Sequence, residues 1–193
     1  MSKAILISIK PKWVARILNG EKTIEIRKTR PNCDLPIPVY IYCTKEKTRA
    51  ILTDKGCVIS NTLAVGGNSQ YKSGYSLSGQ VVAKFTLNKV EEIVRYDGEF
   101  YTPTYEENKI CLNACLSWEE IHRYLANKKT GYAWHIENLK IFNEPKELND
   151  FMVKPTKRFF MEHIEQTYCI LGKGIFRDLT KAPQSWCYVE VEE

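Results

Sequence analysis

Three charged side chains, Lys22, Glu25 and Arg27, lie close enough in this 193-residue chain to act on one ligand. A guanidinium presents a planar fork of donors that matches phosphate oxygens. A carboxylate accepts hydrogen bonds from a base or a ribose hydroxyl. A lysine amine binds phosphate as a point charge or, when desolvated, takes a proton. Together they suit an anionic ligand that also donates hydrogen bonds, or acid–base work with Lys22 and Glu25 as the pair. The competing reading is structural. Glu25 and Arg27 are alternate residues on one strand face and would pair with each other. An exposed pair of that kind is worth about 0–1 kcal/mol.

The elements that must position these groups follow from spacing. Ile5, Ile7 and Ile9 alternate with Leu6, Ser8 and Lys10, the period of a half-buried strand. Pro11 suits the first position of a helix, where its missing N–H costs nothing. Trp13 with Ile17, and Val14 with Leu18, are four apart and share one helix face. Asn19-Gly20 ends that helix, glycine being best able to take a left-handed cap. A second strand follows, with Ile24 and Ile26 on one face and Glu25 and Arg27 on the other. The isoleucines are expected to pack on the helix, against Trp13 or Leu18.

Gly20-x-Lys22-x-x-Glu25-x-Arg27, preceded by Ser8-Ile9-Lys10-Pro11, resembles the signature of the ASCH family, a branch of the PUA-like superfamily. The closing segment Ala182-Pro183-Gln184-Ser185-Trp186-Cys187-Tyr188-Val189-Glu190 is similar to the last strand of ASCH-like proteins of bacteria and their phages. The resemblance implies an α+β fold: a PUA-like mixed, partly open β-barrel with short helices at its ends and a cleft beside the Glu25 strand. It implies that RNA or a modified nucleotide binds there, with Ser8, Lys10, Lys22, Glu25 and Arg27 as ligand-binding residues. Trp134, Ser185 and Trp186 join them as groups near the barrel mouth, where stacking contributes about 1–3 kcal/mol per base. On spacing alone, tryptophans at strand positions read as core.

A few such relatives are hydrolases, and Lys22 and Glu25 are the catalytic candidates if this chain is one. Those that look like acetylcytidine amidohydrolases carry a threonine where Glu25 stands, with a lysine three residues earlier. Lys22 is retained here, but the hydroxyl is missing. A third reading is a protein-interaction module whose basic face meets an acidic partner.

Charge supports an anionic partner. The net charge is +5, and its distribution is uneven. Residues 1–50 hold eleven Lys and Arg against four Asp and Glu, whereas 51–193 hold seventeen against nineteen. The basic excess thus coincides with the motif, and clustered cations supply sequence-independent attraction to phosphate. The plain alternative is a solvated lysine-rich face.

Length suits one domain over residues 1–193, with insertions at approximately 50–79 and 154–181. No run of about eighteen apolar residues is present, so no membrane span is expected. The N-terminus lacks the features of a signal peptide, and seven cysteines are an odd number. Reduced thiols and a cytoplasmic location are the expectation. Three histidines, at 122, 135 and 163, share no short spacing, and Cys111 and Cys115 have no second close pair, so neither metal nor cofactor is expected. Further along, Gln80–Leu87 reads as a buried strand that Val90–Tyr96 continues. Asp97-Gly98 reads as a hairpin turn. Ser117 with Glu120 is a capping box opening a short helix. Tyr132–Ile136 is a strand that Leu139–Phe142 extends, and Pro145 opens a helical turn.

Overall fold

The computed structural model describes residues 1–61, 74–103, 107–154, 169–171 and 174–192. Its first strand, β1 (Ser2–Ile9), forms where the isoleucines alternate. It is not half-buried, however: Ala4 and Leu6 are as inaccessible as Ile5 and Ile7. The reason is its neighbours. β1 runs parallel to β3 (Ile37–Cys43) and antiparallel to β15 (Trp186–Val191), in the middle of a large mixed sheet. Ile5 and Ile7 join Val39, Ile41 and Phe85 on one face. Ala4 and Leu6 join Tyr40, Phe151 and Val189 on the other.

Beyond β3 that sheet continues through β7 (Val81–Leu87) to β11 (Glu137–Lys146). Beyond β15 it continues through β12 (Met152–Val153) and β14 (Gly174–Asp178) to β13 (Cys169–Leu171). A register shift where β7 meets Ile41 and Tyr42 separates Val81 from its strand neighbours. Val81 joins the second cluster, while Ala83, Phe85 and Leu87 stay in the first. A bulge of this kind reverses the face a residue presents, which strict alternation does not anticipate.

A four-stranded sheet is ordered β2 (Ile24–Arg27), β10 (Thr130–His135), β8 (Val90–Tyr96), β9 (Glu99–Tyr101). Val90–Tyr96 therefore leaves the sheet of β7 instead of extending it. The β8–β9 turn is the expected one, with Asp97 at φ 49 and Gly98 at φ 85. Strand β11 likewise leaves the sheet of β10, and Asn138 at φ 50 marks that corner. Pro145 lies inside β11, and the helical turn comes later, at Leu148–Asp150.

The helix α1 (Pro11–Leu18) carries Pro11 in its first turn and buries Val14, Ile17 and Leu18. Gly20 follows it at φ 75. A small sheet of β4 (Arg49–Thr53), β5 (Gly56–Ser60) and β6 (Tyr75–Ser76) packs beside α1. Asn19 fastens the two: Nδ2 donates to the Cys57 carbonyl at 2.9 Å, and the Cys57 amide donates to Oδ1 at 2.9 Å. The first stretch read as an insertion includes this small sheet, with 62–73 outside the described residues. Of the second stretch, 155–168 and 172–173 also lie outside them.

The isoleucines of β2 do not pack on α1. Ile24 and Ile26 join Ile93, Phe100 and Ala133 beneath α2 (Glu107–Ala114) and α3 (Trp118–Leu125), through Ile110, Ala114, Ile121 and Leu125. The helices that cover them come from far along the chain, so local spacing held no record of them. Helix α3 starts at the expected capping box. The Glu120 amide donates to Ser117 Oγ at 3.1 Å, and the Ser117 amide donates to Glu120 Oε2 at 2.8 Å.

Trp134 of the four-stranded sheet packs among Ile5, Val39 and Phe85 of the large one. This closes the two sheets around one core as a partly open barrel. The fold class expected from sequence, α+β and mixed, is the one found.

Candidate functional site

On and just before β2, Lys22 and Arg27 reach backbone carbonyls and meet at Glu25. Lys22 Nζ donates to the Ala114 carbonyl at 2.7 Å and lies 3.2 Å from Glu25 Oε2. The other oxygen of Glu25, Oε1, lies 3.1 Å from Arg27 Nη2. The same Nη2 donates to the Ser8 carbonyl at 2.8 Å, and Nη1 reaches Ser185 Oγ at 3.3 Å. Ser8 Oγ donates in turn to the Pro183 carbonyl at 2.7 Å. One carboxylate is thus shared by two cations, and the chain ends near Ser8 and Ser185 are drawn onto Arg27.

Burial changes the weight of this arrangement. Lys22, Glu25 and Arg27 are only 2%, 8% and 7% exposed. They are not the solvent-facing pair that alternation suggests. The cost of desolvating a charge is recovered only where partners satisfy it. Here Glu25, Ala114 and Ser8 supply the acceptors, and Trp13 adds a ring 5.3 Å from Lys22 Nζ. Two positive charges nonetheless face one negative charge. Arg27 Nε is buried with no hydrogen-bond partner among the described residues.

These groups line a cleft of about 690 Å³. Ser8, Lys10, Lys22, Glu25, Arg27 and Ser185 are all in its wall. Lys10 stands at the rim, its amine 3.5 Å from Glu46. Trp134 and Trp186 are elsewhere. Trp134 is fully buried in the barrel core, with its ring centroid 5.5 Å from that of Trp186. Trp186 donates Nε1 to Thr29 Oγ1 at 2.9 Å, behind the cleft wall.

Among the wall residues that the sequence reading did not name for the site are Trp13, Lys28, Tyr124 and Lys128. Trp13 shares the apolar face of α1 and so reads as core. Tyr124 neighbours Leu125 but falls off the apolar face of α3, the one signal that could have marked it. The Lys28 amine lies 4.9 Å from the Tyr124 ring centre. Burial pushes the Tyr124 hydroxyl above its ordinary range, while the neighbouring Arg27 pulls the other way. Five cations and three carboxylates line the cleft, the latter being Glu25, Glu46 and Glu120.

Among the described residues, no group of three or more His, Cys, Asp and Glu side chains could hold a metal ion. Among them, too, no helix is long and apolar enough to cross a membrane. Cys33, Cys43, Cys57, Cys111, Cys115 and Cys187 are free thiols.

Comparison with solved structures returns the same architecture. ASCH from Zymomonas mobilis superposes with a TM-score of 0.50 over 97% of this chain and 87% of its own, at 15% identity. A Tyr-to-Phe variant of that protein gives a TM-score of 0.51, covering 98% and 91% at 14% identity. At such identity the likeness establishes a shared ASCH-like, PUA-like fold. No family model and no curated protein matches the sequence.

Proposed function

We propose that this chain binds RNA or a modified nucleotide in the cleft beside β2. The observation that carries the reading is the excess of positive charge at a walled site. Lys22 and Arg27 share the single carboxylate of Glu25, and Arg27 Nε has no acceptor among the described residues. An anionic group there would complete the charge balance and receive that N–H. Tyr124 and Trp13 offer flat apolar surface beside it, and Ser8 and Ser185 offer hydroxyls.

The reading is tested by fluorescence anisotropy with labelled single-stranded RNA and by calorimetry with nucleoside monophosphates. Saturable binding that weakens steeply with salt is expected. Absence of binding at low salt would remove the reading.

A hydrolase using the same cleft is the second reading, favoured by the 3.2 Å contact between Lys22 and Glu25. The binding reading is preferred because Lys22 Nζ is already engaged by two acceptors and no hydroxyl stands at the position of Glu25.

A further inference from the structure

Just before β15, the stretch Pro183-Gln184-Ser185 borders the cleft and is held by a single residue of β1. Ser8 Oγ donates to the Pro183 carbonyl at 2.7 Å, and the Ser8 amide donates to the Ser185 carbonyl at 2.9 Å. Ser185 is tied a second time, its Oγ accepting from Arg27 Nη1 at 3.3 Å. The backbone is therefore fixed on both sides of Gln184, by a buried residue of a strand in the middle of the large sheet. Gln184 itself lines the cleft and is exposed. Among the described residues, no hydrogen bond occupies its side-chain amide. A free polar group on a backbone so held is already positioned for a ligand.

The other polar groups of the wall are committed elsewhere. Ser8 gives its one side-chain proton to Pro183. Thr29 Oγ1 accepts from Trp186 Nε1 at 2.9 Å. Both oxygens of Glu25 are held by Lys22 and Arg27, Glu46 meets Lys10, and Glu120 Oε2 accepts from the Ser117 amide. The lysines at the rim are point charges suited to phosphate. Thr44 keeps a hydroxyl without a partner, but a hydroxyl offers a single atom. A primary amide sets a donor and an acceptor side by side in one plane. The Watson–Crick edge of a base has the same form, N3–H beside O4 in uracil and N3 beside the N4 amine in cytosine. Turning the amide over exchanges its donor and acceptor, so it fits either. Among the described residues, Gln184 is the one amide in this wall.

We infer that Gln184 reads the base of the bound nucleotide, hydrogen-bonding its Watson–Crick edge while Arg27 and the rim lysines hold the phosphate. The inference rests on the nucleotide-binding reading of the cleft. It narrows the ligand to a nucleotide whose base enters unpaired, because pairing in a duplex hides that edge.

Calorimetry with uridine monophosphate, N3-methyluridine monophosphate and ribose 5-phosphate, on the wild-type chain and on Gln184→Ala, tests it. Methylation at N3 removes the donor of the edge. Wild type is expected to prefer uridine monophosphate to its methylated form by about fivefold, the worth of one hydrogen bond. In Gln184→Ala that preference should vanish, while ribose 5-phosphate binds as it does to wild type. Gln184→Glu offers acceptors only. Its preference for guanosine over uridine monophosphate should rise by about fivefold or more, because guanine N1–H and N2–H2 are adjacent donors. Gln184 is exposed, so both variants should melt with wild type. If uridine monophosphate binds but wild type shows no preference over the methylated form, or Gln184→Ala keeps it in full, Gln184 is not the reader and the cleft reading stands. If uridine monophosphate binds no better than ribose 5-phosphate, the base is not read and the inference fails while phosphate binding remains. If none of the probes binds, both readings fall together.

Discussion

Arg27 Nη2 donates to the carbonyl of Ser8 at 2.8 Å, so the edge strand of one sheet is pinned to the central strand of the other. The same nitrogen meets Glu25. The group best suited to hold an anion is therefore also a structural tie. Its loss cannot be read as a binding effect alone.

That double duty gives an ordering of stabilities. Lys22→Met or Arg27→Met leaves Glu25 with one cation, a matched pair. Glu25→Gln leaves two buried cations facing each other across a neutral amide. Removing one partner of a buried ion pair costs about 3–5 kcal/mol. Glu25→Gln is expected to lie at or beyond the top of that range and to melt lowest of the three. Added phosphate should raise its Tm more than that of wild type. Thermal melting decides; Glu25→Gln melting above either methionine variant would show that Glu25 is not the keystone.

Much of this arrangement was legible in sequence, and the part that was not has a common cause. Period-two isoleucines and Pro11 with Asn19-Gly20 fix β1, α1 and β2 because those signals act within a few residues. The same holds for Ser117 with Glu120 and for Asp97-Gly98. Ile24 and Ile26 show the limit. Alternation says they face away from Glu25, but what covers them, α2 and α3, is decided by long-range packing. Glu25 and Arg27 show it again. A polar strand face reads as wet until Ala114, Ser8 and Ser185 arrive as partners from distant segments. Trp134 is the converse, an aromatic expected near a mouth that the partly open barrel holds in its core.

Exposed cations at the rim should act on binding without touching the fold. Lys28 and Lys128 line the cleft yet are exposed. Lys28→Ala/Lys128→Ala is expected to leave the Tm within about one degree of wild type, surface changes being worth little. The slope of log affinity for single-stranded RNA against log salt should fall by about 1.4, since each lost phosphate contact removes about 0.7. Anisotropy titrations at several salt concentrations measure it. An unchanged slope would return these lysines to the status of a solvated face.

The buried thiols predict an alkaline limb of stability. Burial pushes Cys43 up to about 12 and Cys57 up to about 11, from 9.0 in the unfolded chain. Their folded-state values are raised, so below about pH 9 both states hold the proton and the contribution is fully present. As pH rises toward 11 and 12 the unfolded chain loses its protons first, and stability falls. Urea midpoints from pH 8 to 11 should therefore decline, and Cys43→Val should flatten the decline. In the native protein Cys43 and Cys57 should also react slowest with a thiol reagent at pH 8, the thiolate being the reactive form. A Cys43→Val profile superimposable on wild type would assign the alkaline limb to other groups.

Binder and enzyme differ in what Lys22 and Glu25 would have to offer a substrate. An amide-cleaving site needs an attacking group and a base to activate it. Glu25 supplies no hydroxyl, and both its oxygens are held, Oε2 by Lys22 and Oε1 by Arg27. Lys22 Nζ is held by Glu25 and by the Ala114 carbonyl at 2.7 Å. Freeing the amine to accept a proton would strip a buried carboxylate of a partner, against a penalty of about 3–5 kcal/mol. No turnover is accordingly expected when the purified protein is incubated with acylated nucleosides or with RNA, with or without divalent metal, and followed by mass spectrometry. Binding of the same compounds should persist under those conditions. Metal-independent product that vanishes in Lys22→Met, with the melting curve of that variant still cooperative, would reverse the preference and make the Lys22–Glu25 pair catalytic.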